Sequence, residues 1–331
     1  MPTTPGTLGR MVFIGFHASH EQIAPRALLE AVVRAEQAGF DGAMCSDHLA
    51  PWSRRQGQSG FALSWIAAAL ARTEFPIGMV NTPGQRYHPV IIAQAFATLE
   101  QMFPGRFWAA LGSGEALNEH VTGDGWPAKP VRNARLRESV RVIRRLLDGD
   151  EVDHDGLVRV HRARVWSLPD ESPPLYATAV SPETARWAAS WADGLTTVAQ
   201  HPEALARVVD AYRSRGGAGP CILQVHVSLA ADQGTAAEIA RDQWSNGVLS
   251  PPVTWDLEQP EDFDNAVREV DERALRDAVL VDDDPEELAS RVADLVRIGF
   301  DRVYLHHVGV RQDGFLDSCE SALLPALRRR L

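Results

Sequence analysis

The chain has 331 residues, 45% of them hydrophobic and 23% charged, with 33 Lys and Arg against 44 Asp and Glu for a net charge of −11. That acidic balance argues against attraction to phosphate backbones or anionic membrane surfaces, so nucleic acid and membrane are not expected as partners. Three cysteines without metal-type spacing, no window of about 18 uninterrupted apolar residues, and no leader-like pattern in Met1 to Gly9 together predict a cytoplasmic protein without a disulfide framework.

Short apolar runs alternate with amphipathic stretches from end to end, the pattern of repeated βα units on a parallel sheet. Met11–Phe16 reads as the first strand, Pro25–Ala38 as a helix stopped by Gly39, and Gly42–Ser46 as the second strand. Phe61–Arg72 is helical, Ile77–Asn81 a third strand, and Pro89–Met102 a helix with proline in its first turn. Phe107–Leu111 is strand four, and Asn133–Leu147 carries one apolar face. Leu175–Ala179, Leu195–Val198, Ile222–Leu229 and Val303–His306 complete eight strands, with helices near Pro182–Trp191, Pro202–Arg213, Thr235–Trp244, Pro285–Ile298 and Phe315–Arg330. Two stretches break the rhythm: residues 148–172, read as a β-like excursion, and 245–275, read as a loop with a short helix. The expected fold is an α/β, (β/α)8 TIM barrel with insertions, one domain over residues 1–331. An open doubly wound sheet is the alternative.

In such barrels reactive side chains sit where a strand ends and its loop begins. Strand two runs into Ser46, Asp47, His48 and, four residues on, Trp52; strand three into Asn81, Thr82, Pro83 and Gly84; strand four into Gly112, Ser113, Gly114 and Glu115; strand five into Ala179, Val180 and Ser181. The last strand ends at His306 and His307. An imidazole that titrates near neutrality, an indole wall and a carboxyl desolvated among glycine and leucine suit a redox pocket, where a cofactor ring does the electron chemistry and the protein handles protons. Asp47 also reads as a helix cap, Glu115 as a helix-start carboxylate, and His306 and His307 as structural histidines.

These segments resemble the luciferase-like flavin and deazaflavin oxidoreductases. The resemblance is carried by Ser46-Asp47-His48 with Pro51-Trp52, by Thr82-Pro83 and Arg86-Tyr87, by Ile92 to Thr98, by Gly112 to Glu119 and by Ala134 to Val140. It implies that His48 is the base on a substrate hydroxyl, Glu115 the proton donor and Trp52 a wall of the reacting centre. Asp47, Met79, Val80, Thr82, Gly112, Ala179, Val180 and Ser181 would then contact the cofactor, with a non-prolyl cis peptide near Met79-Val80. Where sugar-phosphate-oxidising relatives place a threonine, two lysines and an arginine, Val198, His201, Thr254 and Ala278 stand, so a phosphorylated sugar is not expected. The resemblance favours FMN over F420 and implies a homodimer, with Ile91–Phe103 apolar enough to join its face. The substrate is expected to be a small organic molecule, with Trp52 and Trp65 shaping its pocket.

Two rival functions use the same barrel. A metal-dependent hydrolase would draw ligands from His17, His20, Asp47, His48 and His306, and a non-catalytic barrel would hold a flavin without turnover.

Overall fold

A computed structural model describes residues 12–331, and the reading of Met1 to Gly9 lies outside the described residues. Strands β1 (Phe13–Ala18), β2 (Gly42–Ser46), β3 (Ile77–Asn81) and β4 (Phe107–Leu111) are separated by helices α1 (Pro25–Gln37), α2 (Ala62–Arg72) and α3 (Pro89–Met102). After β4 come the single turn α4 (Ala116–Glu119), the long α5 (Lys129–Leu147), and a hairpin of β5 (Val152–Asp155) and β6 (Arg159–Ala163). Then follow β7 (Leu175–Thr178), α6 (Pro182–Ala188), β8 (Leu195–Val198), α7 (Pro202–Arg213), β9 (Cys221–Leu229) and α8 (Gln233–Trp244). The remainder is α9 (Val253–Asp256), α10 (Pro260–Ala266), α11 (Glu272–Ala278), β10 (Leu280–Asp282), α12 (Pro285–Val296), β11 (Arg302–His307), α13 (Asp313–Ser318) and α14 (Leu324–Arg330).

Eight of these strands, β1-β2-β3-β4-β7-β8-β9-β11, pair in parallel and close on themselves, because β9 pairs with both β8 and β11 and β11 pairs with β1. The expected TIM barrel is therefore the observed fold. Alternation along each strand separates two cores. Ile14, Phe16 and Ala18 face outward and pack with Leu28, Val32 and Ala35 of α1 in the shell between strands and helices. Inside the barrel lie Met44, Trp108, Ala110, Tyr176, Ile222 and Tyr304.

That interior fits because large rings face glycines on the next strand. Gly15 pairs with Tyr304 and Gly78 with Trp108, and a Cβ at either glycine would fall 2.2 Å or 2.0 Å from the ring. The aromatic layer plugs the barrel below its C-terminal mouth.

Several boundaries differ from the sequence reading. Strand one is Phe13–Ala18 and ends two residues past the expected Phe16, since its ladder with β2 runs on to Ala18 opposite Cys45; the expected start at Met11 lies outside the described residues. The first excursion is the β5-β6 hairpin. The second is more ordered than a loop: α9, α10 and α11 fill it, and β10 then adds to the far end of β9. A π-helical turn, Cys319–Leu323, interrupts the terminal helix. The peptide at Met79-Val80 is not cis; β3 stays in register with both neighbours there, Val80 opposite Ser46 and Ala110, and Pro251-Pro252 is the cis bond among the described residues. No helix among the described residues is long and apolar enough to cross a membrane.

Gly78→Ala is expected to lower the unfolding free energy by about 1–3 kcal/mol through overpacking against Trp108. Gly314→Ala, where an added Cβ meets nothing within 4 Å, serves as the neutral control in the same denaturant titration.

Candidate active site

One pleat above the aromatic plug, register places His17, Ser46, Val80, Gly112, Thr178, Val198, Gln224 and His306 on the inner face at the mouth. They divide into two halves. On β3, β4, β7 and β8 the lining is small and mostly aliphatic: Val80, Gly112, Thr178 and Val198. On β9, β11 and β1 it is polar and uncharged, with Gln224, His226, His306 and His17.

Glu21, just beyond β1, sits in the polar half and is 1% exposed. Ser19 Oγ donates to its Oε2 at 2.9 Å, Ser46 Oγ donates to Oε1, and His48 Nε2 lies 3.7 Å from Oε1. Burial alone would raise this carboxyl, but His48, the Ser46 hydroxyl and His17 outweigh it and hold it at about 2. His48 responds in the opposite sense: burial pulls its pKa down, with Glu21 the main counterweight. Its ring contacts Trp52 at 4.7 Å between centroids, and Asn118 Nδ2 lies 3.4 Å from Nδ1.

Glu115 occupies the N-cap position of α4 yet makes no side-chain cap hydrogen bond. Burial pushes its pKa up to about 8, repulsion from Glu21 and Glu119 adds to that, and Lys129 and Arg132 only partly offset it. Glu115 is thus protonated at neutral pH. The charge of Glu21 bears on Glu115, His17, His20, His48 and His226. His48 lies against Asn118 of α4, the turn that Glu115 opens, and the Leu49 N–H donates to Asn118 Oδ1 at 2.8 Å.

The other residues named from sequence fall into three groups. Trp52 is fixed between His48 and Phe263 of α10, its backbone N–H held by Gln56 Oε1 at 2.9 Å. Asp47 lies at the pocket wall, but Asn81 Nδ2 (2.8 Å), Tyr87 Oη (3.1 Å) and Arg86 Nη2 (3.3 Å) already occupy its carboxylate. Val80, Thr82 and Gly112 line the small half or its rim, Val180 is a half-buried residue just beyond β7, and Met79 and Ala179 point into the outer shell and offer the mouth only backbone. Ser181 uses its hydroxyl to cap α6, accepting from the Thr184 N–H at 3.3 Å. Trp65 stands behind the pocket, donating to the Pro25 carbonyl at 3.1 Å and meeting His20 edge-on. His307 stacks on Phe315 in the outer layer.

Glu21, Gln224, His226 and Asn118 were not singled out from sequence. A strand-end rule would have found Glu21 had strand one been placed two residues later, and the alternate residues of strand seven carry the signal for Gln224 and His226. The proposed metal ligands do not converge: among the described residues no group of three or more His, Cys, Asp or Glu is arranged to hold an ion. His306 instead donates from Nε2 to Gln22 Oε1 at 2.8 Å, an orientation fixed because Gln22 Nε2 donates to the Val308 carbonyl at 2.5 Å.

A Cβ at Gly112 would strike Thr178 Oγ1 at 2.7 Å, and Thr196 Oγ1 and His17 Nδ1 are buried without hydrogen-bond partners.

Glu115 binds its proton more tightly folded than unfolded, so stability is expected to fall as pH rises from about 4.5 to about 8. Glu115→Gln removes that ionisation. The variant should melt with the wild type at pH 5 and roughly 2–4 °C or more above it at pH 9, the shift of about 1 kcal/mol in a large domain. Parallel Tm curves across that range would contradict the raised pKa.

The luciferase-like monooxygenase family profile matches residues 9–302. The F420-dependent glucose-6-phosphate dehydrogenase of Intrasporangium calvum is 35% identical over 333 residues, covering 96% of this chain and 99% of the relative. The enzyme of that name from Mycobacterium avium is 35% identical over 330 residues, covering 96% and 98%. Among solved structures, an F420-dependent secondary alcohol dehydrogenase in complex with an F420-acetone adduct superposes with a TM-score of 0.88 at 30% identity, covering 96% and 99%. The coenzyme F420-dependent tetrahydromethanopterin reductase of Methanopyrus kandleri shares the fold at a TM-score of 0.76 and 20% identity, covering 96% and 99%. With its barrel, its mouth and its match across most of its length, the chain belongs to the luciferase-like monooxygenase family and is an oxidoreductase.

Proposed function

We propose that this protein exchanges a hydride between coenzyme F420 and a small uncharged secondary alcohol or its ketone. The arrangement that carries this reading is His48 at the barrel mouth, its Nε2 3.7 Å from the buried Glu21 carboxylate and its ring against Trp52, with Glu115 at the start of α4 and its pKa pushed by burial up to about 8. Sequence resemblance favoured FMN; the named cofactor of the most similar relatives shifts the reading to the deazaflavin. Val80, Gly112, Thr178 and Val198 would bed the ring, and Trp52 would wall the substrate beside His48.

The ring, when bound, supplies a two-electron acceptor for the hydride leaving the alcohol carbon, and the balance then requires one proton off the hydroxyl and one onto the cofactor. His48 accepts the hydroxyl proton at Nε2, and the carboxylate of Glu21, 3.7 Å away, stabilises the imidazolium so formed. Glu115 holds the second proton at its carboxyl and gives it up on the cofactor side. Ketone reduction runs the same path backwards. The polar half of the mouth selects an uncharged substrate: His17, His226 and His306 are all driven toward the neutral imidazole by burial, to about 4 for His17 and about 3 for His226. Val198, His201, Thr254 and Ala278 supply no cation for a sugar phosphate.

Two measurements test this. Purified protein titrated with F420 and with FMN should quench deazaflavin fluorescence with the tighter Kd, and 2-propanol should reduce F420 faster than glucose 6-phosphate does. His48→Ala should lower kcat by about 10²–10⁴ while leaving the F420 Kd within a few-fold. Absence of binding by either cofactor would overturn the reading, as would undiminished turnover in the His48 variant.

A further inference from the structure

Helix α5 begins at the mouth between the ends of β4 and β7, and its start concentrates positive charge with one loose acid partner, Asp256 at 3.9 Å from Arg132. Ala128 at the N-cap makes no side-chain cap, no acidic residue lies in the first turn, and Lys129 and Arg132 occupy that turn and the next position. The helix has 19 residues, so its dipole adds to those charges rather than offsetting them. A weakly compensated cationic helix start costs stability unless an anion joins it.

The two side chains are built into place. Arg132 is 4% exposed at its side chain; its guanidinium lies 4.1 Å from the centroid of Trp126 and 6.0 Å from that of Trp255, and its Nε has no hydrogen-bond partner. Its Nη1 donates to the Pro127 carbonyl at 2.9 Å and lies 3.9 Å from Asp256 Oδ1, a loose pair since Asp256 already accepts from Trp126 Nε1 at 2.9 Å. Lys129 Nζ rests 3.7 Å from the centroid of Trp255 and has no ion pair within 4.0 Å among the described residues. The ammonium feels both Glu115, on the β4 loop, and Glu183, in the first turn of α6, so it stands between those two strand ends. Burial lowers its pKa to about 8, the cost of an ammonium held from water without a counter-charge.

The geometry points to an anion subsite in which Lys129, backed by Arg132 and screened by Trp255, binds the phosphate group of the cofactor tail. The cofactor is the source favoured over a substrate phosphate because Lys129 lies toward β4 and β7, beside the small half of the mouth, while the imidazole half is on β9, β11 and β1. A phosphate would find a charge-assisted donor at Nζ and the positive end of α5 together. The inference rests on the reading that a flavin-type cofactor binds in this mouth.

Four probes test it, each titrated by fluorescence into wild type, Lys129→Ala and Lys129→Arg: F420 against 8-hydroxy-5-deazariboflavin, which lacks the whole anionic tail, and FMN against riboflavin, which differs by the phosphate alone and separates a phosphate contact from one to the tail carboxylates. Lys129→Ala should weaken F420 by about tenfold or more, leave the phosphate-free deazaflavin within about twofold, and be largely restored in Lys129→Arg. Equal losses for both members of a pair, or no loss for either, would overturn the subsite. If wild type prefers FMN and shows the same selective loss against riboflavin, the subsite stands and F420 falls. If no probe binds wild type, both fall. Thermal-shift titrations with glucose 6-phosphate and glucose form the last arm, and a Lys129 dependence confined to glucose 6-phosphate would move the phosphate to the substrate and reject the assignment. Folding of each variant is checked by its Tm without ligand.

Discussion

A carboxylate held ionised where water hardly reaches it organises this active site. Glu21 has two hydroxyl donors and an imidazole around it, and without them its burial would be strongly unfavourable. Its charge is then felt at long range because the surroundings screen poorly. It draws the neighbouring imidazoles back toward protonation against their burial, and it repels a second charge at Glu115. Two chemically identical groups are thus set apart: His48, Ser46 and His17 hold Glu21 near 2 against its burial, and burial, with repulsion from Glu21 added, raises Glu115 to about 8.

That anion keeps its place because the barrel below it is solid. Tyr304 over Gly15 and Trp108 over Gly78 fill the interior with rings that admit no side chain opposite them, so the inner face becomes available to a ligand only one pleat higher. The same alternation that buries the plug turns His17, Gln224 and His306 into the mouth. Packing and chemistry are thus successive turns of a single strand periodicity.

The architecture was legible from sequence because βα alternation is a strong, repeated signal, and a barrel leaves few places for polar strand-end residues to go. That rule singled out His48, Trp52 and Glu115 as candidates. What it missed followed from two local ambiguities. Ile14, Gly15 and Phe16 fit a strand ending at 16 as well as one ending at 18, and the later end is set by pairing with Ala43, Met44 and Cys45, which lie elsewhere in the chain. His17 and Glu21 therefore looked like loop residues. Lys129 and Arg132 were hidden differently: their partners Trp126 and Trp255 are separated by more than a hundred residues, and the insertion bearing Trp255 has no periodicity to announce its helices.

The insertion at 245–275 packs against the candidate site from two sides. Phe263 of α10 packs on Trp52, Arg54 pairs with Glu261 at 3.1 Å, and Arg55 reaches both Asp242 and Asp264. Trp255 of α9 closes on the start of α5 from the other side. The segment thus touches the substrate wall and the cationic helix start, yet makes no hydrogen bond to Glu21, His48 or Glu115. Changes in its sequence can reshape what the pocket admits while Ser19 and Ser46 still hold Glu21, and Glu21 still sets the protonation of the groups around it.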